Sequence, residues 1–213
     1  MKADFIKDKV RLFNCDCMDF MAEIPDNYYA LAIVDPPYGI NINKIWGDEK
    51  HGYKQYETKQ WDSNIPDGLY FKELLRVSKK QIIWGGNYFT RFLNPTGGWV
   101  IWDKGQRNFS LAEGEMAWTS FLNSVRFVNY PRALSNRGKR IHITQKPIQF
   151  YKWLLTNYAK PNDKIFDSHG GSFSSACAAL DMGFEFDGCE LDKDYFKDAV
   201  NRLENHNQLF MDI

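Results

Sequence analysis

Short apolar runs that stop on an acid, a glycine or a proline alternate along this chain with stretches of helical spacing, and that alternation limits the fold more than any other feature. Strands are predicted at Arg11 to Phe13, "LAIVD" from Leu31, Gln81 to Gly86, Gly98 to Asp103, Ser124 to Tyr130, "KIFDS" and "FEFDGCEL". Helices are predicted over Asp67 to Val77, Asn87 to Leu93, Pro147 to Tyr158, Ser174 to Met182 and Lys193 to Asn205. Strands and helices in alternation give an α/β domain around a largely parallel sheet. With 213 residues, 44% of them hydrophobic, the chain suits one sizeable domain with a real core.

The run "LAIVDPPYGI", Leu31 to Ile40, is the sharpest of these strand ends. Two consecutive prolines donate no backbone hydrogen bond, and the first biases Asp35 toward an extended conformation, so sheet pairing stops there. Asp35 is thereby fixed at a strand mouth beside Pro36, Pro37 and Tyr38. An acid, a rigid turn and an aromatic ring within four residues suit a pocket for a small molecule or a base, but taken alone these four residues favour an ordinary turn.

Composition excludes several classes of function. No apolar run approaches the ~20 residues of a spanning helix, and "MKADFIKDKV" lacks the apolar stretch of a signal peptide, so a soluble, cytoplasmic protein is expected. The four cysteines, Cys15, Cys17, Cys177 and Cys189, have neither paired CxxC spacing nor neighbouring histidines, which predicts free thiols and no metal site. The formal net charge is zero, yet from Met116 to Asn162 there is no acid. That window carries Arg126, Arg132, Arg137, Lys139, Arg140, Lys146, Lys152 and Lys160, a basic strip suited to phosphates or, alternatively, a solvated face.

The last third of the chain carries a second, independent signal. "DKIFDSHGGSFSSACAALDMGFEFDGCELDKDYF" reads as strand, glycine turn, small-residue helix, strand ending in an acid, and helix. The turn lets backbone approach a ligand closely, the helix from Ser174 offers free N–H groups, and Glu190, 23 residues after Asp167, can accept hydrogens from ribose hydroxyls.

With "DPPYG", "HITQKP" and "FDSHGGSFSS" followed by "FDGCELDKDYF" in this order, the chain resembles the β-class amino-methyltransferases of DNA, and "IIWGGNYF" with "WDKG" resembles their small phage and prophage forms. The resemblance implies a Rossmann-like S-adenosylmethionine methyltransferase sheet with helices on both faces, circularly permuted so that the catalytic half comes first. It implies one domain over 1–213, a loop after the catalytic motif at 41–64, and a reduced target-recognition region at 104–140. The implied reaction is methylation of the N6 amine of adenine in DNA. Asp35 and the Pro36 carbonyl would accept the two amine hydrogens, the Pro36–Pro37 pair would make that geometry rigid, and Tyr38 would stack on a base turned out of the duplex.

Carried over by position, Asp16 and the adjacent Cys17 would meet the cofactor adenine. Thr144, Gln145, Lys146 and Pro147 would lie next to its methionine end, and Asp35 would also contact the cofactor. Asp167, Gly170, Gly171 and Ser172 would form the glycine turn, and Glu190 would bind the ribose. Packing or capping is the alternative role for Cys17 and Ser172. Arg132, Arg137, Lys139 and Arg140 are the expected phosphate contacts, DNA is the expected partner, and a homodimer is left open. The sequence departs from the family where "DPFxGSG" becomes "DSHGGSF", so that Phe173 replaces the last glycine and would either crowd the cofactor or stack beside it. N4-cytosine methylation, and a catalytically silent DNA-binding relative, are the competing readings; methylation of RNA or of protein amides is a weaker third.

Overall fold

The computed structural model describes residues 1–41, 61–108, 112–131, 141–142 and 144–206. In chain order its strands are β1 (Phe5–Lys7), β2 (Val10–Phe13), β3 (Leu31–Val34), β4 (Gln81–Trp84), β5 (Trp99–Asp103), β6 (Gly114–Thr119), β7 (Arg126–Asn129), β8 (Lys164–Asp167) and β9 (Glu185–Cys189). Its helices are α1 (Cys17–Ala22), α2 (Gly68–Val77), α3 (Ile148–Tyr158), α4 (Ser174–Met182) and α5 (Lys193–Glu204). Among the described residues the strands form one nine-stranded sheet in the order β1-β2-β9-β8-β3-β4-β6-β5-β7.

The apolar runs become central strands because both of their faces are covered. Leu31 and Ile33 of β3, with Ile82 and Trp84 of β4, pack against Phe150 and Leu154 of α3, the small residues of α4, and Ala199 and Leu203 of α5. Ala32, Val34 and Ile83 point the other way, against Phe20 and Met21 of α1 and Phe71 and Leu74 of α2. Helices therefore cover both faces. Pairing is parallel from β2 through β9, β8 and β3 to β4. It turns antiparallel only at β1 and around β6. Among the described residues no helix is long and apolar enough to cross a membrane.

Two sequence expectations need correction. Asn87 to Leu93 is not a helix: only a 3-10 turn at Gly86–Tyr88 forms there. Phe89 and Leu93 are both buried, and their four-residue spacing imitates a helical stripe. The backbone has already turned left-handed at Gly85 (φ +68°), where a Cβ would lie 2.2 Å from the Tyr38 ring. Strands β1 and β6 and helix α1 were not expected. Each is short or carries charge, and β6 pairs with β4 and β5 on its two sides.

Phe173, which the resemblance expected either to crowd the cofactor or to stack beside it, is turned into the core. The residue is left-handed (φ 49°, ψ 39°) at the N-cap of α4, and its ring is fully buried. The ring fills the space left by two glycines, since a Cβ on Gly170 or Gly188 would lie 2.1 Å or 2.4 Å from it. Its edges meet Phe186 and Phe196. Phe173→Gly should relieve the left-handed strain but leave a cavity, for a net loss of about 2–4 kcal/mol. Urea unfolding of the variant checks this; an unchanged midpoint would show that the ring contributes nothing to the core.

Candidate active site

The site follows from the topology. Strands β3 and β8 are parallel neighbours, with Leu31 opposite Ile165 and Ala32 opposite Phe166. From β3 the chain passes through α2 on one face, and from β8 through α4 on the other, so a crevice opens outside their carboxyl ends. Into it run the two motifs singled out in the sequence, Asp35-Pro-Pro-Tyr after β3 and the glycine turn after β8. A cavity of about 900 Å³ lies there, and its walls include Asp16, Asp35, Trp61, Lys146, Gly170 and Glu190.

Asp35 is held at both oxygens. The Tyr38 hydroxyl donates to Oδ1 at 2.6 Å, and the Lys146 ammonium pairs with Oδ2. Lys146 also reaches Glu115 Oε2 at 3.2 Å, and Lys104 reaches Glu115 Oε1 at 2.6 Å. Four charges of alternating sign therefore run from the mouth of β3 to the β5–β6 hairpin. Burial alone would raise the Glu115 carboxyl, but the Lys146 and Lys104 ammoniums outweigh it and hold the group at about 2. Burial lowers Lys146, yet Asp35 and Glu115 more than compensate and raise it. Burial and the nearby Asp35 charge keep the Tyr38 phenol protonated.

Past the prolines, the first available N–H groups are those of Tyr38 and Gly39. Both donate to Oδ1 of the buried Asp62, at 2.7 Å and 2.9 Å, which pins the turn. The Tyr38 ring stacks on Tyr88 with centroids 5.0 Å apart. This is the contact that glycine at 85 permits.

The opposite wall is built from the late motif. Gly171 N–H donates to Glu190 Oε2 at 2.7 Å, and Asp192 N–H donates to Oε1 at 2.8 Å, so the carboxylate spans the turn. Asp16 caps α1 by accepting from Met18 N–H at 2.8 Å, and it faces the cavity. Burial pushes the adjacent Cys17 thiol up to about 12. Asp167 does not line the cavity: it lies buried beneath the turn, accepting from Ser175 Oγ at 2.5 Å and from His169 N–H at 3.1 Å. Burial raises it to about 7.

The "HITQKP" segment contributes Thr144, Gln145 and Lys146 to the cavity, while Pro147 sits behind them at the N-cap of α3. Thr144 Oγ1 lies 3.1 Å from His142 Nδ1, and Gln145 Oε1 accepts from Ile141 N–H. Ser172 Oγ lies 3.3 Å from Ser174 Oγ, and its carbonyl accepts from Arg202.

A family profile described as DNA methylase, the N6/N4 amino-methylase family, matches residues 83–201. The chain belongs to that family. YubD of Escherichia coli (strain K12), described as a putative methylase, is 26% identical to this chain over 216 residues, covering 91% of this chain and 89% of YubD. The solved structure of an M1.HpyAVI–SAM complex superposes with a TM-score of 0.59 at 16% identity, over 91% of this chain and 99% of that one. PvuII DNA methyltransferase, cytosine-N4-specific, superposes at 0.60 with 13% identity, over 97% and 96%. These superpositions show a shared methyltransferase fold.

Much of what surrounds the motifs gives no signal in the sequence. Asp62, Glu115 and Lys104 hold the turn and Lys146, and Trp61, His142 and Tyr195 form an aromatic cluster at the cavity wall. His169, inside the quoted glycine turn, lies 2.9 Å from Ser168 Oγ, and burial lowers it to about 4. Two cations of the acid-free window are spent internally, since Lys146 is buried in the network above and Lys152 pairs with the buried Asp181 at 2.7 Å. Arg132, Arg137, Lys139 and Arg140, and residues 42–60 of the 41–64 loop, lie outside the described residues.

The buried Asp167 gives a pH test. Its folded value of about 7 lies above the ordinary 3.8, so its contribution to stability is complete below the ordinary value and is lost as pH rises through about 7. Asp167→Asn should therefore gain on the wild type between pH 5 and pH 8. Urea midpoints at the two pH values check it, and parallel loss in both proteins would show that Asp167 titrates normally.

Proposed function

We propose that this chain transfers a methyl group from S-adenosylmethionine to the N6 amine of adenine in DNA. The observation that carries the reading is the meeting of Asp35 and the glycine turn at one crevice, which puts a hydrogen-bond acceptor for an amine beside a nucleoside-sized pocket. The donor set fits the cofactor: Asp16 and Glu190 can accept from an adenine amine and from ribose hydroxyls, and a carboxylate has lone pairs beyond those used in the turn. Bound S-adenosylmethionine supplies an electrophilic methyl on a sulfonium.

The chain's own task is to make a poor nucleophile competent. The lone pair of an adenine amine is delocalised into the ring; accepting one N–H at Asp35 and the other at the Pro36 carbonyl lets the nitrogen pyramidalise. Asp35 then faces the positive charge that develops on that nitrogen and takes the proton it gives up. Positioning and charge stabilisation supply the acceleration. The base is placed against Tyr38, where the half-exposed Tyr88 now stacks, and the Tyr38 hydroxyl must share or yield Asp35 Oδ1. Arg132, Arg137, Lys139 and Arg140 are proposed as phosphate contacts, which set position and affinity without reading sequence.

Adenine is preferred to cytosine because the motif begins with Asp. With Phe173 turned into the core, the feature that motivated a silent relative no longer bears on the cavity.

Sequencing DNA from cells that express the protein, with detection of modified bases, should show N6-methyladenine in a short sequence context. N4-methylcytosine would move the substrate to the other base, and unmodified DNA from cells holding folded protein would overturn the reading. Asp35→Ala should abolish methylation while leaving cofactor affinity within a few fold of about −8 kcal/mol, the micromolar range. Calorimetric titration of the variant checks this, and loss of binding together with activity would make Asp35 part of the scaffold.

A further inference from the structure

Glu115 has no place in the cofactor cavity, and neither has Lys104. Both belong to the β5–β6 hairpin: Glu115 lies on β6 opposite Trp102, and Lys104 follows β5 directly, in the "WDKG" motif that the proposed chemistry leaves without a role. Their side chains nevertheless run inward to the catalytic carboxylate through Lys146. The Lys146 side chain is 3% exposed, so its ammonium has given up water for Asp35, Glu115 and the face of the Trp84 ring, 5.3 Å away.

We propose that Glu115, fixed by Lys104, is a positioning residue of the methyl-transfer centre, locking the Lys146 ammonium onto one oxygen of Asp35 and balancing its charge. This rests on the reading of Asp35 as the acceptor of the target amine. An ammonium pressed on Asp35 alone would cancel the negative charge that the amine has to meet. With Glu115 on its other side, the Lys146 charge is shared between two carboxylates, so the lysine fixes Asp35 while cancelling only part of its negative charge. Breaking a buried ion pair by removing one partner leaves the other charge uncompensated, so the arrangement has to be complete to hold its geometry. Lys104 supports Glu115 from behind at 2.6 Å, its ammonium lying 5.2 Å from the Trp102 ring. The β5–β6 hairpin is thereby tied to the reaction.

Glu115→Gln keeps the shape and removes the charge. The turnover number should fall by ~10²-fold, as expected when a reacting group is misplaced by about 1 Å. Cofactor Kd and the KM for DNA should stay within about twofold. Lys146 is faced by Asp35 beyond β3, Glu115 from β6 and the Trp84 ring from β4, with Tyr38 on the far oxygen of Asp35, Lys104 beyond Glu115, and the Tyr151 phenol of α3 within the field of both carboxylates. Losing Glu115 removes one of the two anions that keep Lys146 charged against its burial, so turnover should fail at lower pH on the alkaline side than in the wild type.

A merely structural role would lower the melting temperature and leave the pH profile in place, and that result would overturn the proposal. Wild-type turnover and pH profile in Glu115→Gln would overturn it too. Should Glu115→Gln fail to fold, Lys104→Gln carries the test with the opposite sign in pH: Glu115 is left to Lys146 alone, so a smaller loss of turnover with the alkaline limb moved to higher pH is expected, and no change in either counts against the proposal. Asp35→Ala measured alongside separates the two levels: an active Asp35→Ala would sink the reading of Asp35 itself. Inactive Asp35→Ala with unaffected Glu115→Gln would sink only the role of Glu115.

Discussion

The ion pair between Asp35 and Lys146 is the contact on which the site depends. It joins residues 111 positions apart, bringing the end of β3 against the segment that leads into α3, and through Glu115 it reaches the β5–β6 hairpin. Buried ion pairs are weak contributors to stability, because removing two charges from water costs about what their attraction returns. What this pair supplies is position. A carboxylate at the end of a strand, followed by two prolines and held at both oxygens, has little freedom left.

Sheet topology explains why motifs far apart in sequence act at one place. The glycine turn comes late in the chain, but β8 inserts between β9 and β3, at the centre of the sheet. Because α2 and α4 depart to opposite faces, the carboxyl ends of β3 and β8 part to leave room for a ligand. An order in which β3 comes before β8 and β9 costs nothing in geometry, since only spatial neighbours matter. The small residues of α4 suit its fully covered place over the sheet beside the turn, and the Phe173 ring fills the space left by Gly170 and Gly188.

The sequence was legible where one element decides its own fate. Strands β3, β4, β8 and β9 are short apolar runs bounded by breakers, and α4 spans the residues its small side chains predicted, Ser174–Met182. It was not legible where partners decide. Glu115 looks like an interruption in an apolar stretch until Lys104 and Lys146 are seen on either side of it. Lys146 stands in a motif that resemblance ties to the methionine end of the cofactor, and no local pattern shows that its ammonium turns to Asp35. Asp62, which pins the proline turn from 24 residues downstream, leaves no signal in sequence spacing. Phe173 needed the two facing glycines to be seen before its direction could be known.

All of these elements converge on a single spatial claim: that a cofactor lies along the glycine turn with its reacting end at Asp35. Determining the structure of the protein bound to sinefungin, in which an amine stands where the transferable methyl would be, tests it most directly. The adenine should lie near Asp16 and Cys17, the ribose on Glu190, and the amine should turn toward the Asp35 carboxylate. An analogue bound the other way round, with its adenine against Trp61 and His142 and its amine far from Asp35, would contradict it.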